Sequence, residues 1–325
     1  MNTTFLTYDD VLKALREEGK ASGPVNPDEY HAWKPMLESE LGCPVVSKST
    51  LADFGDNPYK FKWEQEKGVR KTSEALALGS LVDCLTLTPQ LFEKQYLCEP
   101  VRVQLKKDGT PYLDGRQDPA QRAEWQAREA DGVHVISEAQ LAKGQAIAEQ
   151  AKRHLDLLGL RLGDTFRSQI GMWVYLTELG GHKLSTPVIV TGMIDICPTA
   201  GALLDLKTTS VDISSESKVS YTTEDFHYGL QGALYSDLWA ICSGEEKSRI
   251  GFVFLFVGTN EPYMSRELRM SDETLDLYRP EYMRLIRRYA DCWKLDDWGE
   301  PTLEPIFYTP SSREFKRIGK EALDA

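Results

Sequence analysis

The sequence predicts an α/β protein, helix-rich in its first half and mixed α/β in its second, on three observations. Up to about residue 160, capped segments with apolar residues at helical spacing dominate, and Ala75, Leu78, Val82 and Leu85 form the clearest run. After about residue 165, short β-branched or aromatic segments bounded by Gly and Pro take over. Two of these segments flank Cys197-Pro198-Thr199-Ala200-Gly201 and read as a β-hairpin.

Taken in order, helices are expected at Tyr8 to Glu18 and Tyr30 to Leu41. A short capped helix follows over Ser47 to Phe54 and ends at Asn57-Pro58. Ser73 to Leu87 is helical, and Thr88-Pro89 opens another helix. Residues 101–117, with Asp108-Gly109 and Asp114-Gly115, read as an exposed loop, and helices return at Pro119–Ala130 and Glu138–Leu158. Strands are expected at Gln169–Leu176, Pro187–Ile196, Ala202–Lys207 and Ile250–Val257. A helix from about Thr223 to Cys242 separates the last two strands, and a long helix at Glu273–Trp293 closes the pattern.

The 325 residues allow two domains or one with insertions, and a 41% hydrophobic share supplies a sizeable core. The longest dense apolar run, Phe252 to Val257, is far short of the roughly 20 residues that span a bilayer. The first residues carry no basic region followed by an apolar stretch. A soluble cytoplasmic protein with no membrane partner is therefore expected. Six cysteines stand too far apart for a Cys-x-x-Cys pair, which predicts reduced thiols and no iron–sulfur cluster. The five histidines have no metal-ligand spacing. With 38 Lys and Arg against 50 Asp and Glu, the net charge of −12 runs counter to general nucleic-acid binding. Binding depends on where the positive charges sit, however, and not on their sum.

The informative stretch runs from Val190 to Thr209. Asp205 and Lys207 are two apart on one strand and share a face, while Leu204 and Leu206 point to the other. A lone Asp-x-Lys is commonly a surface ion pair. Here the two charges interrupt an apolar strand, where they are costly unless they serve a metal or a partner. If the hairpin is centred on Thr199, Asp195 faces Leu203 and lies diagonal to Asp205, about 7 Å away between Cβ atoms. That spacing leaves room for a cation held by both carboxylates. Gln231 and Tyr235 share a helix face, with Tyr228 one turn earlier. The same helix carries Gly229, Gly232 and Ala233, so it can equally serve close packing.

Asp195, followed by Asp205-Leu206-Lys207-Thr208-Thr209, resembles the PD-(D/E)XK nuclease superfamily and, more narrowly, the exodeoxyribonuclease VIII (RecE-type) domain of phages and prophages. Ser47 to Phe54 with Asn57-Pro58 is similar to that family's opening helix. Ala77 to Pro89 is similar to its Gly-x-x-x-His helix, with Asp83 in the place of the histidine. Gln231 to Tyr235 matches its Gln-x-x-x-Tyr motif. Gln169 stands near where many relatives carry an acid.

The resemblance implies a central mixed β-sheet flanked by helices. It divides the chain into a helical extension (1–45) and a nuclease domain (46–325), the latter with a helical part (46–164) and a catalytic α/β core (165–325). Asp83, Asp195, Asp205 and the backbone carbonyl of Leu206 would bind Mg²⁺, with Mn²⁺ as an alternative. Lys207 would orient or deprotonate the attacking water, and Gln231 and Tyr235 would bond that water or a phosphate. The implied activity is 5′→3′ exonuclease action on linear duplex DNA in phage-type recombination, by a homo-oligomer working with a single-strand annealing protein. The same residues leave open an endonuclease, or a DNA-end binding protein that has lost catalysis. Lys60, Lys62, Lys67, Arg70 and Lys71, just before the Asp83 helix, are the expected phosphate contacts. Further basic groups lie at Arg102, Lys106 and Lys107, and at Arg279, Arg284, Arg287 and Arg288.

Overall fold

The computed structural model describes residues 4–69 and 72–301. The chain begins α1 (Tyr8–Glu18), β1 (Lys20–Pro24), α2 (Pro27–Leu41), β2 (Val45–Ser47), α3 (Lys48–Asp56), α4 (Pro58–Glu66) and α5 (Glu74–Leu87). After a 3₁₀ turn come α6 (Phe92–Gln95), β3 (Tyr96–Cys98), α7 (Pro119–Ala130), β4 (His134–Ile136) and α8 (Glu138–Leu157). The second half runs β5 (Phe166–Leu179), β6 (His182–Pro198), β7 (Leu203–Thr209), α9 (Glu216–Asp225), α10 (Tyr228–Ser243), β8 (Phe252–Gly258), β9 (Ser265–Met270) and α11 (Asp272–Leu295).

Local chemistry accounts for most boundaries. Thr7 and Asp10 form a capping box that starts α1, and Gly19, at φ 72°, ends it. Ser47 and Ser73 cap α3 and α5 through their hydroxyls. Asn57-Pro58 ends α3 as expected and also starts α4, with the Asn57 side chain accepting from the Lys60 N–H. The dipeptide reads as a stop, so α4 is invisible until its apolar partner is known.

Among the described residues one mixed sheet runs in the order β1-β5-β6-β7-β8-β9, and β2 pairs in parallel with β6. Beside it β3 and β4 pair as a small parallel unit. The expected strands are all present; β5, β6 and β7 are longer than their patterns and β8 is one residue shorter. The sequence does not predict β1, β2 or β9. The two outer strands are disguised by what keeps edges from pairing with other chains: β1 is Lys-Ala-Ser-Gly-Pro and β9 is Ser-Arg-Glu-Leu-Arg-Met. Residues 1–45 are therefore more than helical: β1 pairs with β5, and the 45/46 division falls inside β2.

Helices cover both sheet faces. Along β8, Phe252, Phe254 and Phe256 pack with Leu230, Leu234, Leu285 and Ile286 of α10 and α11. Val253, Leu255 and Val257 pack on the opposite side with Val82 of α5 and Ile147 and Ala151 of α8. This alternation is the two-residue period of a strand buried on both faces. A third cluster binds α1 and α2 to Trp173 and Ile189 of the sheet. Among the described residues no single helix is long and apolar enough to cross a membrane.

Two irregularities shape the site. The expected helix from Thr223 to Cys242 is two helices, α9 and α10, broken at His227, whose φ is 52°. The β6–β7 hairpin holds a single ladder pair, Ile196↔Leu204, after which β7 leaves β6 and pairs along its whole length with β8. β2 takes up the same edge of β6 further along, at residues 189–191, and α3 starts directly from it. A gap therefore opens between β6 and β7, with the first turn of α3 beside it.

Candidate active site

The pair Ile196↔Leu204 sets Asp195 directly across from Asp205, not across from Leu203 as a hairpin centred on Thr199 predicts. The difference in register is two residues, so the face is preserved, because strand side chains repeat with period two. Both carboxylates are buried, Asp205 at 2% exposure and Asp195 at 8%.

Each carboxylate is held by named partners. Asp195 Oδ2 accepts the backbone N–H of Leu206 at 2.9 Å, and Oδ1 accepts the Gln169 side-chain amide at 3.2 Å. Asp205 Oδ1 accepts the Gln231 amide at 2.5 Å, and Lys207 Nζ lies 2.5 Å from Oδ2. The contact with Lys207 is an ion pair; no well-aligned hydrogen bond reaches this buried oxygen. Leu206 turns its side chain to the opposite core and presents its N–H to Asp195. Asp83 reaches the group from α5, whose Gly79 packs so closely on β7 that an added Cβ would stand 3.3 Å from Thr208 Oγ1.

The electrostatics follow from three acids and one ammonium in a confined space. Burial, reinforced by the charge of Asp205, pushes the Asp83 carboxyl up to about 7 against the opposing pull of Lys207. Burial, then Asp205 and Asp83, likewise raise Asp195 well above the usual carboxylate range. Burial would lower Lys207, but Asp205 and Asp195 outweigh it and hold the ammonium above its ordinary value. Of the two roles considered for Lys207, this environment favours a fixed cation over a base. Lys48, in the first turn of α3, is pushed down to about 8 by burial and by the charge of Lys207.

The donor set suits a hard divalent cation: carboxylate oxygens, with more negative than positive charge. Among the described residues no three His, Cys, Asp or Glu already stand at metal-ligand spacing. Lys207 pairs with one oxygen of Asp205, while Leu206 and Gln169 donate to the two oxygens of Asp195. Asp83, Asp195 and Asp205 would hold the ion, which would supply charge compensation at phosphorus and acidify a bound water.

Residues 174–302 match the family described as a PDDEXK-like domain of unknown function (DUF3799). The crystal structure of a candidate exonuclease from Eubacterium rectale aligns over 91% of this chain and 99% of its own, with a TM-score of 0.52 and 14% identity. The fold is PDDEXK-like. Two other solved structures align more distantly. SSO0001 has a TM-score of 0.25 and 12% identity over 58% of this chain and 82% of its own. Protein VC1899 of Vibrio cholerae has a TM-score of 0.19 and 14% identity over 91% and 64%. At that level neither bears on the fold. No curated protein matches the chain in sequence.

Within this PDDEXK-like fold the remaining expected residues divide. Gln231 faces Asp205, as its helical position allows. Tyr235 does not reach the carboxylates by a hydrogen bond; its ring lies against Gly192, where an added Cβ would stand 2.7 Å from Cε1. The lysines of α4 lie at the surface in ion pairs. Lys60 pairs with Glu64 at 3.7 Å, and Lys62 with Glu66 at 3.5 Å and Asp296 at 3.7 Å. Lys67 caps the exposed end of α4, and Arg70 and Lys71 lie outside the described residues. Arg279, grouped by sequence with surface arginines, turns inward to Asp237.

One contributor has no local signal: Lys48 lies in a Ser/Thr-rich helix start that suggests capping alone. Gln169, which the resemblance sets near a family acid, sits between the ladder pairs Ser168↔Ile196 and Ile170↔Ile194 with φ 51°, a conformation that a non-glycine residue adopts at a cost of roughly 1 kcal/mol or more. That backbone turn accompanies the amide's bond to Asp195, and its own buried Oε1 has no hydrogen-bond partner.

Proposed function

We propose that this protein is a Mg²⁺-dependent deoxyribonuclease, a 5′→3′ exonuclease on linear duplex DNA that acts in phage-type recombination. The observation that carries the reading is the pair of buried carboxylates Asp195 and Asp205, with the half-buried Asp83, the ammonium of Lys207 and Gln231 bonded to Asp205. Phosphodiester hydrolysis needs an oriented water and compensation for charge on phosphorus, and carboxylates beside one fixed ammonium suit both. The exonuclease reading rests on the resemblance to RecE-type domains and is supported by the fold shared with the Eubacterium rectale protein; its polarity, the homo-oligomeric state and the annealing partner rest on the resemblance alone. Mg²⁺ is the proposed ion and Mn²⁺ its alternative.

Incubation with Mg²⁺ and three labelled substrates tests the reading: end-labelled linear duplex, covalently closed circular duplex, and RNA. Digestion of the linear duplex alone is the expected result. Cutting of closed circles would make it an endonuclease. No digestion with either Mg²⁺ or Mn²⁺ would leave a DNA-end binding protein on the same fold.

Cation binding has a signature independent of activity. Asp83 titrates near 7 in the folded protein, against about 3.9 in an unfolded chain. The folded state holds this proton more tightly, so the group favours folding below about pH 4. It opposes folding increasingly as the pH rises towards 7. A cation bound to the ionised carboxylate relieves that opposition. Millimolar Mg²⁺ should therefore raise Tm by about 5 °C at pH 8 and by much less at pH 5. An equal shift at both pH values, or none at pH 8, would count against a cation at these carboxylates.

A further inference from the structure

Beside the carboxylate cluster, three near-parallel rings lead from the core to solvent. Phe254 is fully buried on β8; Tyr228 stacks on it with centroids 5.0 Å apart and planes at 26°. Phe226 stacks on Tyr228 at 5.8 Å and 18° and is 58% exposed. Lys48 Nζ donates to the Phe226 carbonyl at 2.5 Å and stands 5.4 Å from the centroid of Tyr228. Lys207 Nζ stands 5.3 Å from the same ring, so the stack shares one of its members with the site's own ammonium. The break between α9 and α10 at His227 is what carries Phe226 out of the helix line and leaves its ring at the surface.

A large exposed aromatic ring continuing a buried stack is a surface for another flat ring. An ammonium has three donors, and the carbonyl of Phe226 takes one, leaving two for an anion. A ring and a cation side by side match a nucleotide whose base is unpaired.

We propose that Phe226 is a stacking subsite for an unpaired nucleobase of a DNA strand at the site, with Lys48 bonding that strand's phosphate. The proposal rests on the nuclease reading for the identity of the strand, but it concerns binding and can be tested apart from cleavage. Duplex ends would engage by fraying. The aromatic stack would hold the freed base while the backbone runs past Lys48 towards Lys207.

The test uses a short single-stranded oligonucleotide carrying 2-aminopurine, titrated with the full chain in EDTA so that nothing is cut. Wild type should quench the fluorophore by stacking. Phe226→Ala should lose the quenching and bind about tenfold more weakly, whereas Phe226→Trp should retain both. Because the ring is exposed, the melting temperature of Phe226→Ala should match wild type, which separates stacking from folding. Lys48→Met should lower the slope of log affinity against log salt by about 0.7, the loss of one phosphate contact on a single strand. Quenching and affinity unchanged in Phe226→Ala would overturn the stacking subsite, and an unchanged salt slope in Lys48→Met would overturn the phosphate contact. Wild-type digestion of linear duplex alongside unchanged Phe226→Ala binding would remove this subsite and leave the nuclease reading standing. Phe226-dependent quenching without any digestion would sustain the subsite and remove the nuclease reading.

Discussion

Lys207→Ala and Asp205→Asn should each lower Mg²⁺-dependent hydrolysis of linear duplex DNA by about 10³-fold or more, as loss of a preorganised charge at a developing anion does. The two act through one ion pair, Lys207 Nζ to Asp205 Oδ2 at 2.5 Å, so their effects should not add. The double variant should be no slower than either single one. Single-turnover rates at saturating DNA would read this directly, and activity within a few-fold of wild type in either single variant would remove both residues from the chemistry. A thermal readout distinguishes this from misfolding. Lys207→Ala leaves Asp83, Asp195 and Asp205 without their ammonium, so its metal-free form should lose stability more steeply than wild type between pH 5 and 8. Mg²⁺ should then restore more of its Tm than it adds to wild type. Asp205→Asn relieves repulsion on Asp195, so its own pH profile should be flatter than that of wild type.

The largest expected loss of stability lies away from the site, at Asp237. This buried carboxylate accepts the Arg279 guanidinium at 3.0 Å on Oδ1, with Lys247 at 2.7 Å and the Tyr282 hydroxyl at 2.5 Å on Oδ2. It ties α10 to α11 and to the turn before β8, and α10 is the helix that aims Gln231 at Asp205. Asp237→Ala leaves the buried hydroxyl of Tyr282 and the Nε of Arg279 without an acceptor, while Arg279 keeps Asp276 and the half-exposed Lys247 turns to water. Breaking a buried charge pair in this way costs about 3–5 kcal/mol, roughly 4–7 °C in Tm for a chain of this size. Tyr282→Phe removes one bond and leaves the ions paired, so it should cost only about 1 kcal/mol. Equal losses in the two variants, measured by thermal or denaturant unfolding, would show that the ions contribute nothing beyond the tyrosine.

Much of the site is legible in the sequence because its signals are local. Asp205 and Lys207 share a face since a strand repeats every two residues, and Leu204 and Leu206 mark the opposite face by their hydrophobicity. Gln231 reaches Asp205 from a helix whose small residues allow close packing, and Gly229 is so near Tyr278 that a Cβ there would stand 2.0 Å from the ring. The register of the hairpin is a different matter. Asp195 against Leu203 and Asp195 against Asp205 satisfy the same alternation, and only the observed pair Ile196↔Leu204 separates them. The basic residues before α5 cluster in sequence, and the structure adds their surface pairs, Lys60 with Glu64 and Lys62 with Glu66 and Asp296.

By itself, the sequence determined the kind of each principal element, the caps that bound them, and the facing of Asp205 and Lys207, because strand and helix periods and cap hydrogen bonds act within a few residues. The tertiary structure alone decided where β7 parts from β6, that α3 begins at that gap with Lys48 beside Lys207, and that the long helix breaks at His227 to expose Phe226. It also turned Arg279 inward to Asp237. These features depend on which distant surfaces bury one another and which charges meet there, and no local spacing encodes that.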